Sequence, residues 1–224
     1  MIALIDYGSG NIRSVFNALR HQGADVQLVS SAGSLSDANA VVLPGVGAFG
    51  DCVRGLQQRG LWDPMREWMN SGKPFLGICV GYQLLFDESE ESPGVRGFGF
   101  FPGKVKKFSS AGLKVPQIGW NSLQLIEPRH PLWQGLPKEP HVYFVHSYFP
   151  EPADASIVTS YSTYGETFAA SVARENVAAV QFHPEKSQDV GLGILRNFVS
   201  RSQVPSPKSQ APSRSKSDSN ADTA

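Results

Sequence analysis

The chain has 224 residues and a mass of 24.3 kDa, with 41% hydrophobic and 18% charged residues, the profile of a globular protein with one sizeable core. Lys+Arg and Asp+Glu both number 20, so the basic surplus that a nucleic-acid or anionic-membrane partner requires is missing. Two cysteines, at 52 and 79, make neither a disulfide framework nor a metal knuckle.

The MIALIDYG start has no basic segment, and no run nears the ~18 apolar residues that span a bilayer. A soluble, cytoplasmic protein with reduced thiols is expected. In chain order, Ile2–Ile5 reads as a strand, Gly8-Ser9-Gly10 as a turn, and Asn11 to about His21 as a helix. Strands are expected at Asp25–Val29 and Ala40–Leu43. A helix with Leu61, Met65, Trp68 and Met69 on one face comes next, then a strand at Pro74–Ile78 and a helix at Val80–Phe86. This alternation predicts a parallel sheet covered by helices on both faces. After residue 95 the texture changes. Lys104–Phe108, Leu123–Ile126, Val142–Phe149, Ser156–Tyr161, Thr167–Val172 and Val177–Phe182 are strand-like. Several are too close together for crossover helices, so antiparallel pairing is expected there. A helix at Val190–Arg201 closes a three-layer α/β domain with a mixed central sheet, spanning 1–201. The remaining 23 residues hold seven Ser, three Pro and a single Val. They read as a disordered tail, 202–224, that cannot offset its own ordering entropy.

The stretch Lys73–Gln83, KPFLGICVGYQ, runs an apolar strand into G-x-C-x-G and then into a helical pattern. That is the layout of a nucleophile elbow. Gly77 and Gly81 remove side chains that would obstruct the turn, so Cys79 is expected exposed at its apex, over a helix N-terminus that favours thiolate. A thiolate nucleophile needs an acid-base partner. Among five histidines, His183 follows an apolar strand and precedes Pro184-Glu185, where Glu185 can orient the ring and hold its charge. His21 reads as a helix-end charge partner, and His130 and His141 as solvated loop residues.

Together, GICVGYQ and QFHPEKS resemble the class I, triad-type glutamine amidotransferases over essentially residues 1–200. The resemblance implies that family's α/β fold, Cys79 as nucleophile, His183 as general base and then acid, and Glu185 as orienter. It further implies Gln83 as a glutamine contact and His146, Ser147 and Tyr148 along the substrate wall. Glu91 falls where the family pairs the substrate's α-ammonium, with Glu88 and Glu90 close enough to compete for that role. Four further segments occur together: IDYGSGN at 5–11, LPGVGAFG at 43–50, PQIGWN at 116–121 and YFVHSY at 143–148. That set is similar to the glutaminase subunits of imidazole glycerol phosphate synthases. It implies L-glutamine as substrate and a (β/α)₈-barrel cyclase subunit as heterodimer partner, fed with ammonia in histidine biosynthesis. By the same analogy Asn11, Trp120, Tyr143 and Lys186 lie at the subunit face. No metal and no cofactor are implied.

Gly45–Gly50 also spells GxGxxG after a strand. A dinucleotide fingerprint would follow the first strand, with an acidic residue ending a strand about 20 positions on; this one follows the third, and no acidic residue ends a strand at that distance. An oxyanion hole fits better, with Val80 N–H on one side and the Val46-Gly47 segment, freed by its glycines, on the other. A rotation of Pro44–Gly47 would then switch activity. Another amidotransferase's glutaminase subunit, a cysteine hydrolase or stress protein on a similar scaffold, and a binding module without chemistry are the alternatives. The intact Cys79, His183 and Glu185 set speaks against the last.

Overall fold

The computed structural model describes residues 1–109 and 112–203. Its elements run β1 (Ile2–Ile5), α1 (Ile12–His21), β2 (Val26–Val29), β3 (Ala40–Gly45), α2 (Phe49–Gln58), α3 (Trp62–Asn70), β4 (Phe75–Cys79) and α4 (Val80–Gln83). They continue with β5 (Glu88–Ser89), β6 (Gly103–Lys107), β7 (Gln117–Ser122), β8 (Gln124–Leu125), β9 (His141–His146) and β10 (Tyr148–Pro152). The last are β11 (Val158–Tyr164), β12 (Glu166–Arg174), β13 (Val177–Val180) and α5 (Gln188–Ser202).

Eight strands form one mixed sheet in the order β2-β1-β3-β4-β13-β12-β11-β8. The first five are parallel and the last three join antiparallel. Every residue of β1, β3, β4 and β13 is buried, which requires cover on both faces of the sheet. The topology supplies it. From β1 the chain crosses outward to β2, whereas from β3 it crosses the other way to β4. Right-handed crossovers therefore place α1 on one face and α2 with α3 on the other. Helix α5 packs against α1, completing three layers. Two small sheets, β10-β6-β5 and β7-β9, are added beside the main one.

Several expectations are corrected in detail. Helix α2 carries no assignment in the sequence reading, although Phe49, Cys52, Val53 and Leu56 make a buried stripe at helical spacing. The Val80–Phe86 helix is a single turn ending at Gln83. The Val142–Phe149 strand is two strands, β9 and β10, broken at Ser147 and paired in different small sheets. At the C-terminal end, Ser202 is still the last residue of α5 and Gln203 is its cap; the rest of the expected tail, 204–224, lies outside the described residues. Among the described residues no helix is long and apolar enough to cross a membrane.

Candidate active site

Strands β3, β4 and β13 lie side by side, and the loops at their carboxyl ends converge. Parallel register pairs Gly45 with Cys79 on one side, and Ala179 with Gly77 and Val180 with Ile78 on the other. One step further along β13 places Gln181 beside Cys79, and two more bring in His183. Crevices at strand C-termini are where open α/β sheets bind ligands.

The elbow is held by close backbone approach. A Cβ on Gly81 would lie 1.9 Å from the Leu43 carbonyl oxygen, and one on Gly77 would lie 2.8 Å from that of Gly81. Cys79 takes the bend itself, with φ 56° and ψ −111°, a conformation costing about 1–3 kcal/mol that surrounding structure must over-determine. Two expectations change here. Cys79 is only 4% exposed, so it sits at the floor of a cavity rather than at an apex. The helix after it is one turn long, shorter than the helix expected there.

His183 Nδ1 donates to Glu185 Oε1 at 2.8 Å, and Cys79 is the ring's other side-chain partner. Burial works against the charged imidazole. The hydrogen bonds to Cys79 and Glu185, and the negative charge of both groups, outweigh it and push His183 up to about 10. The Glu185 side chain is fully buried and also accepts from Asn11 Nδ2 at 3.1 Å. Ser187 braces the region, donating to the His183 carbonyl at 2.7 Å and accepting from Tyr143 N–H at 3.0 Å.

Cys79 and His183 open on a cavity of about 490 Å³. Val46, Gly47 and Val80 line it, as do Gln83, Glu91, His146, Ser147, Tyr148 and Lys186. The three neighbouring acidic residues face different ways. Glu88 pairs outward with Lys104 and Arg96, and Glu90 accepts from Lys107 N–H. Glu91 alone of the three faces the cavity, with one oxygen pinned by Phe49 N–H at 2.7 Å. His146 is buried among Phe108, Phe144 and Phe168. Burial pushes it down to about 4, against its hydrogen bond to the Tyr148 carbonyl, with the charge of His183 adding to the downward push.

The Val46 N–H donates to Ser9 Oγ at 3.3 Å, and the Val46 carbonyl accepts from both the Ser9 hydroxyl and the Cys52 thiol. The peptide groups on both sides of Val46 are thus engaged by side chains from the β1 loop and α2. Of the residues expected at a subunit face, Trp120 packs edge-on against Tyr143, and Lys186 Nζ lies over the same ring at 6.0 Å. Trp120 is 48% exposed and Ile118, on the same face of β7, is 59% exposed. Asn11 is half-buried, with its side chain hydrogen-bonded to Glu185. Ser9, Gln181 and Ser187 lie within the IDYGSGN and QFHPEKS segments, but the sequence reading gives them no role.

A sulfur held beside a charged imidazole, backed by a buried carboxylate, is suited to attack on an electron-poor carbonyl carbon. Comparison with known proteins agrees with that chemistry. The family described as "Glutamine amidotransferase class-I" matches residues 3–201. The imidazole glycerol phosphate synthase subunit HisH of Microcystis aeruginosa is 47% identical over 205 residues, covering 91% of this chain and 96% of that one. HisH of Syntrophotalea carbinolica is 48% identical over 204 residues, with 88% and 98% covered. In fold, the chain resembles a crystal structure of a glutamine amidotransferase, with TM-score 0.71 and 21% identity, covering 91% of this chain and all of that one. PurLQS from Thermotoga maritima gives TM-score 0.67 at 20% identity, covering 90% and 95%. With identity near one half sustained along almost the whole of both chains, this chain belongs to the class I glutamine amidotransferase family and, within it, to the HisH subunits of imidazole glycerol phosphate synthase.

Proposed function

We propose that this chain hydrolyses the side-chain amide of L-glutamine through a thioester on Cys79. It then delivers the ammonia to a (β/α)₈-barrel cyclase subunit, which makes imidazole glycerol phosphate and AICAR from PRFAR. The observation that carries the chemistry is the Cys79–His183–Glu185 chain at the floor of the cavity, with Glu91 on its wall. Residues 1–201 are the amidotransferase unit on this reading. Glu91 pairs the α-ammonium of glutamine, and Gln83, Ser147 and Tyr148 with uncharged His146 shape the rest of the pocket. Asn11, Trp120, Tyr143 and Lys186 form the face that meets the cyclase.

The thiolate attacks the amide carbon, and the carbonyl electrons move onto oxygen. Val80 N–H receives that charge, joined by an N–H from the Val46-Gly47 segment once it turns from Ser9. As the C–N bond breaks, the nitrogen takes the His183 proton and leaves as ammonia, the form in which it is a nucleophile. Neutral His183 then removes a proton from water, which attacks the thioester. Glutamate departs and the thiolate and imidazolium are restored. Glu185 stabilises the ring's charge throughout and Asn11 holds Glu185. Ammonia escaping to bulk water would be protonated and lost, which is the chemical reason for a dedicated acceptor subunit.

Labelling with 6-diazo-5-oxo-norleucine tests the assignment. Cys79 should be modified and the fully buried Cys52 spared, and Cys79→Ala should release no glutamate while still binding the cyclase. Equal labelling of both cysteines, or activity surviving Cys79→Ala, would overturn it.

A further inference from the structure

Three groups meet the Cys79 sulfur, and the reaction above uses one of them. Besides His183, the Val145 carbonyl lies 4.0 Å away and Gln181 Nε2 lies 3.8 Å away, both within the longer range at which sulfur bonds. A carbonyl only accepts, so Val145 suits the protonated thiol. An amide N–H only donates, so Gln181 suits the thiolate.

Which end of the Gln181 amide faces the sulfur follows from the contacts behind it. Gln83 lies 3.0 Å from the Tyr148 carbonyl, which can accept but not donate, so Gln83 must present its NH₂ there. The same NH₂ faces Gln181 at 3.2 Å, so Gln181 must answer with its oxygen. Its own NH₂ is left for Cys79. The fixed backbone carbonyl thereby sets the polarity of the whole chain, Tyr148 to Gln83 to Gln181 to sulfur. Gln181 is fully buried and Gln83 nearly so, so water does not compete with these bonds.

Resting on Cys79 as nucleophile, we propose that Gln181 is a further catalytic residue, an N–H donor that holds the sulfur as thiolate, and that Gln83 fixes its orientation. Gln83 thus has a task besides facing substrate. The remaining titratable groups around the sulfur are His183 with Glu185 behind it, and His146, Tyr148, Glu91 and Lys186 around the cavity. Tyr7 and Cys52 approach from the β1 and α2 side. None of these changes in Gln181→Met or Gln83→Met, so a shift in titration there reports the amide, whereas Gln181→Glu adds a carboxyl of its own beside the sulfur.

The test uses the full chain alone and iodoacetamide, whose iodide the thiolate displaces as the C–S bond forms. The rate of Cys79 alkylation is followed by peptide mass from acid to alkaline pH in wild type, Gln181→Met, Gln181→Glu and Gln83→Met. Gln181→Met keeps the volume and removes the donor. Gln181→Glu keeps the acceptor for Gln83 and faces the sulfur with an acceptor. The midpoint of the acid limb should rise by about one pH unit in Gln181→Met, a tenfold slower alkylation below the midpoint. It should rise further in Gln181→Glu and less in Gln83→Met. Thermal melting identifies the folded variants; should neither Gln181 variant fold, Gln83→Met decides. An unmoved midpoint in the folded variant that decides overturns the inference. Failure of wild-type Cys79 to react with 6-diazo-5-oxo-norleucine would instead sink the glutaminase reading, so the two failures are separable.

Discussion

The elbow at 77–81 and the loop at 44–48 leave adjacent strands in register, Cys79 beside Gly45, yet they are secured in different ways. Backbone pins the elbow. Gly81 lies against the Leu43 carbonyl so closely that no Cβ fits, and the strained Cys79 has nowhere else to go. Past Gly45 the loop has open space around it. A Cβ on Gly47 would meet nothing within 4 Å, Val46 is 40% exposed, and the Val46 peptide is held by hydrogen bonds from Ser9 and Cys52. On the proposed mechanism, the nucleophile is therefore built to stay and the oxyanion donor to move. A glutaminase that must wait for its acceptor needs that division, because a mobile nucleophile would sacrifice geometry whereas a mobile donor sacrifices only rate.

Matched glycine substitutions should break this contrast if it is wrong, and they carry the largest expected effect. Gly81→Ala forces backbone apart and should cost about 3 kcal/mol or more of stability together with all activity. Gly47→Ala meets no atoms but must hold φ near +87°, a cost of about 1–2 kcal/mol. It should keep the fold and alter only the rate. Thermal melts and 6-diazo-5-oxo-norleucine labelling of both variants provide the check. Equal stability losses would show that the loop is as constrained as the elbow.

Next in size is the pair behind the nucleophile. His183→Ala should lower glutamate release by roughly 10²–10⁴, with Glu185→Ala no worse, since one moves protons and the other orients. The double variant should match His183→Ala, because the two act as a unit. Additive losses would give Glu185 a separate role.

Much of this was readable before any coordinates. The strand-elbow-helix pattern at 73–83, the His183-Pro184-Glu185 triplet and the parallel half of the sheet follow from local spacing, because each is set by residues close in sequence. What escaped has a different cause. Ser9 meets Val46 across 37 positions, Gln181 meets Cys79 across 102 and Asn11 meets Glu185 across 174. Polar pairings of that separation leave no periodicity to read. Ser147 breaks a continuous apolar run into two strands for a similar reason, since the partners that separate it, β7 and β6, are distant in sequence. Helix α2 is the exception. Its apolar stripe was present, obscured by the glycines at 45, 47 and 50 that suggest a loop.

A smaller effect sharpens the comparison through charge. The 44–48 loop has no titratable side chain, whereas the rest of the cavity holds two histidines displaced in opposite directions. His146, at about 4, takes up a proton on unfolding between pH 4 and 6.5, and His130, at about 4 through burial, does the same. Stability should therefore fall as pH drops through that window. His183, at about 10, contributes stability that is complete below pH 6.5 and is lost as pH rises toward 10. Melting temperature followed from pH 4 to 10 should show both limbs, and Glu185→Gln should move the alkaline limb to lower pH. A flat profile would contradict the assigned charge states.

The claim that the nucleophile waits ready while the donor must turn is tested most directly by glutamate release in three states: the chain alone, with the cyclase subunit, and with the cyclase bound to its ligand. A missing oxyanion donor costs about 10²–10³ in rate. The account predicts a rise of that order in the third state, with 6-diazo-5-oxo-norleucine reaching Cys79 in all three. Equal rates in the three states would contradict it.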